Sequence, residues 1–178
     1  MDFLGGLIMA KWIVGDGCDK YVAQLEKLNA DTAQIIGEAI YPAAGIVTDQ
    51  IKANIQNLKV SGRNSRRGTQ ADPIDTITSA QKQGLIDGLG ITKMKESDGF
   101  VNVKVGEDGY NSQISDRNVK AAWASKRQAN AMIARAVESG TYFRKKTPFI
   151  APAVRKTRKK AEAAMAEQLD KEIEKVMK

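Results

Sequence analysis

The stretch AMIARAVESGTYFRKKTPFIAPA, Ala131 to Ala153, holds a helix, a bend and the entry to a second helix. Met132, Ile133, Ala136 and Val137 recur at three- and four-residue steps, which predicts a helix with one apolar face. The pattern stops at Ser139-Gly140-Thr141, where Gly140 can take the positive φ that ends a helix. A basic connection, Arg144-Lys145-Lys146, leads to the apolar Pro148-Phe149-Ile150. Pro152 fixes φ near the start of a last long helix, where a missing N–H costs little. Pro148 and Pro152 also favour extended chain at the residues before them. Phe149 and Ile150 are therefore expected as an apolar pair held between two helices, docked in the domain's own core or on another subunit. Phe is commonly buried and this chain has few aromatics, so the core is the expected place.

Downstream, residues 152–178 read as one helix. Val154, Ala161, Met165, Leu169, Ile173 and Val176 form a narrow stripe at roughly heptad spacing. Its start carries Arg155, Lys156, Arg158, Lys159 and Lys160, and its later turns Glu162, Glu167, Asp170, Glu172 and Glu174. That order opposes the helix dipole, which favours acids at the N-terminus, and points to a partner for the first turns.

Upstream, Asp19–Leu28 is a short amphipathic helix with Val22, Leu25 and Leu28 on one face. A break at Asn29–Thr32 precedes a longer helix with the stripe Ile36, Ile40, Val47, Ile51, Ile55 and Leu58. Pro42 inside it is expected to kink or split it. From Lys59 to Asp75 the chain turns polar, with Arg63, Arg66 and Arg67 in the basic loop Ser61–Thr69. Such a loop reads either as a phosphate contact or as a solvated, mobile segment. Thr78–Leu89 forms a further helix. The period then drops to two: Ile91, Lys93, Phe100, Asn102 and Lys104 face one way, Thr92, Met94, Val101, Val103 and Val105 the other. Ser97-Asp98-Gly99 supplies the turn of a hairpin, expected to pack on the long helix because a lone hairpin is marginal. Asn111–Lys126 reads as irregular, with Trp123 its one large anchor. The expected class is α+β, mostly helical: two long helices packed with a small antiparallel hairpin. Residues 1–18 read as an N-terminal extension with Met9 an alternative start, and residues 19–178 as a single domain.

Composition narrows the chemistry. The 178 residues include one cysteine and no histidine. That excludes an intrachain disulfide, a Cys/His zinc site and any Ser-His or Cys-His pair. No phosphate-binding glycine loop or nucleophile elbow occurs, and Glu138, castable as a general base, has no partner residue in its motif. No enzyme activity, cofactor or metal is expected. A net charge of +7 permits an anionic partner. No run of ~20 apolar residues marks a membrane span, and the first residues lack the basic start and cleavage site of a signal peptide, so synthesis is expected in the cytoplasm.

Four groups of residues occur together: Glu138, Gly140, Thr141, Pro148, Phe149, Pro152 and Ala153; Gly88-Leu89-Gly90-Ile91-Thr92-Lys93-Met94; Gly106-Glu107-Asp108-Gly109-Tyr110-Asn111; and Thr147-Pro148-Phe149-Ile150 leading into the Lys/Arg- and Ala-rich last helix. In these, from about Asp19 onward, the chain resembles a family of small head–tail joining proteins of long-tailed bacteriophages, called tail completion, neck or minor tail components. The resemblance implies a structural virion protein, assembled in the host cytoplasm as a six- or twelve-fold ring between the DNA-filled head and the tail. It implies head-closure, tail-terminator or tube proteins as partners. Glu138, Gly140, Thr141, Pro148, Phe149, Ile150 and Pro152 are its candidate anchor to the core or to a neighbouring subunit. Arg63, Arg66, Arg67, Arg144, Lys145, Lys146, Arg155, Lys156, Arg158 and Lys159 are candidate contacts to passing DNA or a partner. The alternative is a basic nucleic-acid-binding protein using the same cations as phosphate contacts, although no helix-turn-helix, stacking-aromatic or KH-type signature accompanies them.

Overall fold

The computed structural model describes residues 19–30, 32–61, 68–97, 100–114 and 127–177. In chain order they form α1 (Asp19–Ala30), α2 (Thr32–Gln56), α3 (Ser79–Gly88), β1 (Leu89–Ile91), β2 (Lys95–Ser97), β3 (Phe100–Asn102), β4 (Val105–Glu107), β5 (Tyr110–Ile114), β6 (Arg127–Ala129), α4 (Asn130–Ser139) and α5 (Ile150–Met177). The class is α+β. The expected extension 1–18, the arginines Arg63, Arg66 and Arg67, and Trp123 lie outside the described residues.

The framework is the antiparallel pair of α2 and α5, 25 and 28 residues long. Asn54 near the end of α2 donates to the carbonyl of Phe149 just before α5 (2.8 Å). At the other end, Gln34 and Ile35 share a groove with Glu172 and Val176. Small residues recur among the buried positions of both helices. On α2 the buried positions before Pro42 are Ile35, Gly37 and Ala39, while Ile36 and Ile40 of the expected stripe are half-buried. On α5 only Ala153 and Thr157 are fully buried, and Val154 and Ile173 of the expected stripe are exposed. Thr157 is admitted because its hydroxyl donates back to the Ala153 carbonyl (2.8 Å).

Pro42 does not split α2, which runs through it as one helix. Both Pro42 and Glu38, whose carbonyl the proline leaves without its usual donor, are exposed, so water can take that bond. α3 opens on a capping box: the Thr78 hydroxyl accepts from the Gln81 N–H and the Gln81 side chain accepts from the Thr78 N–H, both at 3.1 Å. Lys82 then donates to the carbonyls of Gln56 (2.6 Å) and Leu58 (3.0 Å), placing a cation at the C-terminus of α2.

The expected hairpin is longer than the sequence pattern and contains a bulge. Leu89 pairs with Glu107 and Ile91 with Val105, then Lys95 with Asn102 and Ser97 with Phe100. Three residues, 92–94, stand opposite two, 103–104, so one residue is extra. This corrects the expected faces. Ile91 shares a face with Val105, because the extra residue reverses the alternation beyond it. The ribbon packs on α2 as expected: the Met94 N–H donates to the Tyr41 hydroxyl (2.8 Å), and Met94 Sδ stands over Gly37, 2.8 Å from where a Cβ would be. Asn111–Ile114, expected as irregular chain, is strand β5, paired with β6; Asn111 is buried.

The core unites Ile51, Ile55 and Leu58 with Ile77, Leu85, Ala134, Val137, Phe149 and Ala153. Ile77 enters it from the far end of the polar loop, whose described ends are anchored by backbone bonds. Ser61 N–H donates to the Ile77 carbonyl (2.8 Å) and Ile77 N–H to that of Lys59 (3.0 Å). The stretch around Ile74 runs parallel to the one around Arg144.

Candidate functional site

The residues from Glu138 to Pro152 fold as one junction between α4 and α5. α4 ends at Ser139, and Gly140 follows with φ +76. A Cβ there would be strained by that φ and would meet the Lys146 nitrogen at 3.0 Å. The bend sends the chain back along α4, so that the Thr147 N–H donates to the Val137 carbonyl (2.9 Å). The returning strand delivers the start of α5 to the Glu138 carboxylate. Oε2 accepts from the N–H groups of Phe149 (2.7 Å) and Ile150 (2.8 Å), and Oε1 from that of Ala151 (2.9 Å).

This arrangement satisfies the whole helix entrance. A helix leaves its first four N–H groups without internal partners, counting from the residue before it. Here these belong to Phe149, Ile150, Ala151 and residue 152. Glu138 takes the first three, and Pro152 has no N–H to satisfy. A carboxylate also suits the positive end of the dipole. The sequence showed five cations in the first turns of α5 and no anion, which pointed to a partner; the compensating charge comes from this chain's own α4. Ile150, expected in extended chain, is the first residue of α5, because the cap forms on its N–H and Pro152 is tolerated in the first turn.

Phe149 is 1% exposed and packs within the protomer, among α2, α3 and α4 residues of the core. Of the two expected places, it takes the core. Pro148 is exposed.

Thr141 and Arg144 exchange two backbone bonds (3.0 and 3.1 Å), leaving Tyr142 and Phe143 at the tip of a tight turn. Arg144, expected as a contact for DNA or a partner, is half-buried, and its Nη1 donates to the Thr76 carbonyl (2.6 Å). Burial lowers its pKa from the usual arginine value; its geometry is that of a brace between the turn and the loop. Lys145, Lys146, Arg155, Lys156, Arg158 and Lys159 are exposed. Arg158 pairs with Glu162 (2.8 Å). Lys156 lines a groove of about 360 Å³ with Lys160, Thr157 and α2 residues including Asp49. The structure thus brings Glu138, Gly140, Thr141, Phe149, Ile150 and Pro152 together, and leaves the α5 cations facing solvent.

Three features escaped the sequence. Asn54 binds the Phe149 carbonyl from 95 positions away. The aromatic tip at Tyr142-Phe143 was within the quoted stretch and readable as two large rings beside a glycine bend. Glu107 lies on the face shared with Leu89, Ile91 and Val105; both its carboxylate oxygens are buried with no hydrogen-bond partner, and burial pushes its pKa up to about 7. Among the described residues no group of His, Cys, Asp and Glu could hold a metal ion, and no helix is long and apolar enough to cross a membrane. Compared with family models, with curated proteins and with solved structures, the chain matches none.

Proposed function

We propose that this chain is a structural virion protein of a long-tailed bacteriophage, forming a ring at the junction of head and tail. In this reading it completes the tail, or neck, and contacts head-closure, tail-terminator or tube proteins. The observation that carries the proposal is the junction. The residues by which the sequence resembles that family, Glu138, Gly140, Thr141, Phe149 and Pro152 among them, converge on one device rather than scattering over the surface. That device locks a long helix against the core and projects a rigid turn. Support also comes from the two-helix frame, a shape suited to stacking side by side around a passage. A phage with an early stop in this gene should accumulate separate filled heads and free tails in micrographs, and purified protein added to the lysate should restore joined particles. Normal particles from the mutant would overturn the reading.

A second reading, nucleic-acid binding, is favoured by one observation: Arg155, Lys156, Lys159 and Lys160 are all exposed on the first turns of α5. Affinity for a DNA fragment falling steeply with added salt would support it.

A further inference from the structure

Five of the six residues from Arg155 to Lys160 are exposed cations, with the buried Thr157 between them. Among the described residues only Arg158 has an ion-pair partner, Glu162 at 2.8 Å. The Glu138 carboxylate at this end of α5 is engaged by three backbone N–H groups. Arg155, Lys156, Lys159 and Lys160 are left unpaired, near the helix end where the dipole disfavours cations. That arrangement costs stability, and binding sites are where a fold carries such costs.

With 3.6 residues per turn the four stand in two files, each one turn long. Arg155 and Lys159 lie on the side away from the buried Ala153 and Thr157. Lys156 and Lys160 line the groove of about 360 Å³ between α5 and α2, with Ile46 and Gln50. Of the residues lining that groove, Asp49 alone is an anion.

The four charges fall within about 7.5 Å of helix axis, at ~1.5 Å per residue. Over that length duplex DNA presents about four phosphate charges, and a single strand about two. α2 lies antiparallel beside α5, and two helices of ~10 Å exceed a major groove ~12 Å wide. The pair therefore meets the backbone and not the base edges. Val154 is the one large apolar side chain exposed on this half of α5, too little to hold a lipid surface.

We infer that the first turns of α5 are a sequence-independent contact for the phosphate backbone of duplex DNA, made by Arg155, Lys156, Lys159 and Lys160. The inference rests on the nucleic-acid reading and names its residues and its ligand. Three other cations are left out of it: Arg144 is braced on the Thr76 carbonyl, Arg158 is held by Glu162, and the charge of Lys145 acts on Asp75.

The test is fluorescence anisotropy of the full chain with a short DNA duplex at rising salt. Four phosphate contacts give log affinity against log salt a slope of about −3.6, a loss on the order of 100-fold between about 50 and 200 mM. Arg155→Gln/Lys159→Gln and Lys156→Gln/Lys160→Gln should each halve that slope. Neither should lower the melting temperature, since cations near a helix N-terminus do not stabilise it. Lys145→Gln and Arg158→Gln should leave the slope unchanged. Asp49→Asn should tighten binding several-fold at low salt, and unchanged affinity would remove the groove from the contact. A slope that both double variants keep overturns the contact and leaves the nucleic-acid reading standing. Wild type that binds no DNA at low salt overturns both. A single strand bound as tightly as the duplex, or one duplex sequence strongly preferred, overturns backbone contact with duplex DNA. Binding to phosphatidylserine vesicles but not to DNA, lost in the same double variants, would assign the patch to a lipid surface and overturn the inference.

Discussion

Glu138 and Glu107 are the same side chain, each half-buried, and they meet opposite environments. Glu138 receives three backbone N–H groups at a helix entrance. Glu107 receives none: both its oxygens are buried without a hydrogen-bond partner. Burial removes water from either carboxylate, but only at Glu138 do fixed dipoles replace it. One carboxylate thus fastens α4 to α5, while the other is a cost carried on the inner face of a two-strand ribbon. The difference shows that position along the chain decides little here; the donors that the fold brings to each carboxylate decide it.

Breaking the Glu138 side of that contrast should produce the largest effects. Phe149→Ala empties the core position that the junction holds in place, and should cost about 3–5 kcal/mol. In a chain of this size that lowers the melting temperature by on the order of 10 °C. The loss should appear in the isolated protomer, since the ring is buried within it. A monomer melting like wild type would mean that the packing around Phe149 is wrong.

Glu138→Ala leaves three N–H groups at a part-buried helix start without acceptors, an expected loss of about 2–3 kcal/mol. Glu138→Gln keeps one acceptor oxygen and loses the charge, and should recover roughly half. Chemical denaturation of the three proteins gives the ranking. A glutamine variant as stable as wild type would show that shape and one acceptor, and not the charged carboxylate, are what Glu138 supplies. Gly140→Ala comes next, at about 1–2 kcal/mol, because the residue must keep φ at +76 while its Cβ meets the returning backbone. Gly140→Asn should cost less, as Asn tolerates the left-handed region better than Ala does.

Much of this was legible from local pattern. The long helices, the hairpin, its packing on α2 and the break at Gly140 all follow from periodicity and turn chemistry acting over a few residues. What was not legible depends on groups distant in sequence. Glu138 caps a helix that starts 12 residues later, whereas the familiar capping signal sits within the first turn of the helix itself. The Ile74–Arg144 bridge and the β5–β6 pair join segments whose spacing carries no signal. The buried stripe on α2 was misplaced by one position near Ile36 because Ala39 and Gly37 look weakly apolar. Their smallness is what lets a neighbouring element approach. The hairpin bulge was missed because alternation was extended through residues 92–94 without a cue to interrupt it.

Sharpening the contrast from the Glu107 side should give the smallest effect, and the opposite sign. The folded-state value of about 7 lies above the ordinary 4.5, so between these the folded protein holds a proton that the unfolded chain has released. The resulting stabilisation is complete below about pH 4.5 and is lost as pH rises through 7. Glu107→Gln mimics the protonated form. It should match wild type near pH 4.5 and be the more stable protein at pH 8. The size is modest, about 1 kcal/mol, because the residue as a whole is only half-buried and solvent screens part of the penalty. The same substitution at Glu138 removes a charge that the fold uses, and should destabilise at pH 8. Two Glu→Gln variants moving in opposite directions at one pH is therefore the expected outcome, read by thermal melts at pH 5 and 8. A Glu107→Gln protein no more stable than wild type at pH 8 would mean that water or a neighbouring donor reaches that carboxylate, and that the two glutamates differ less than their surroundings indicate.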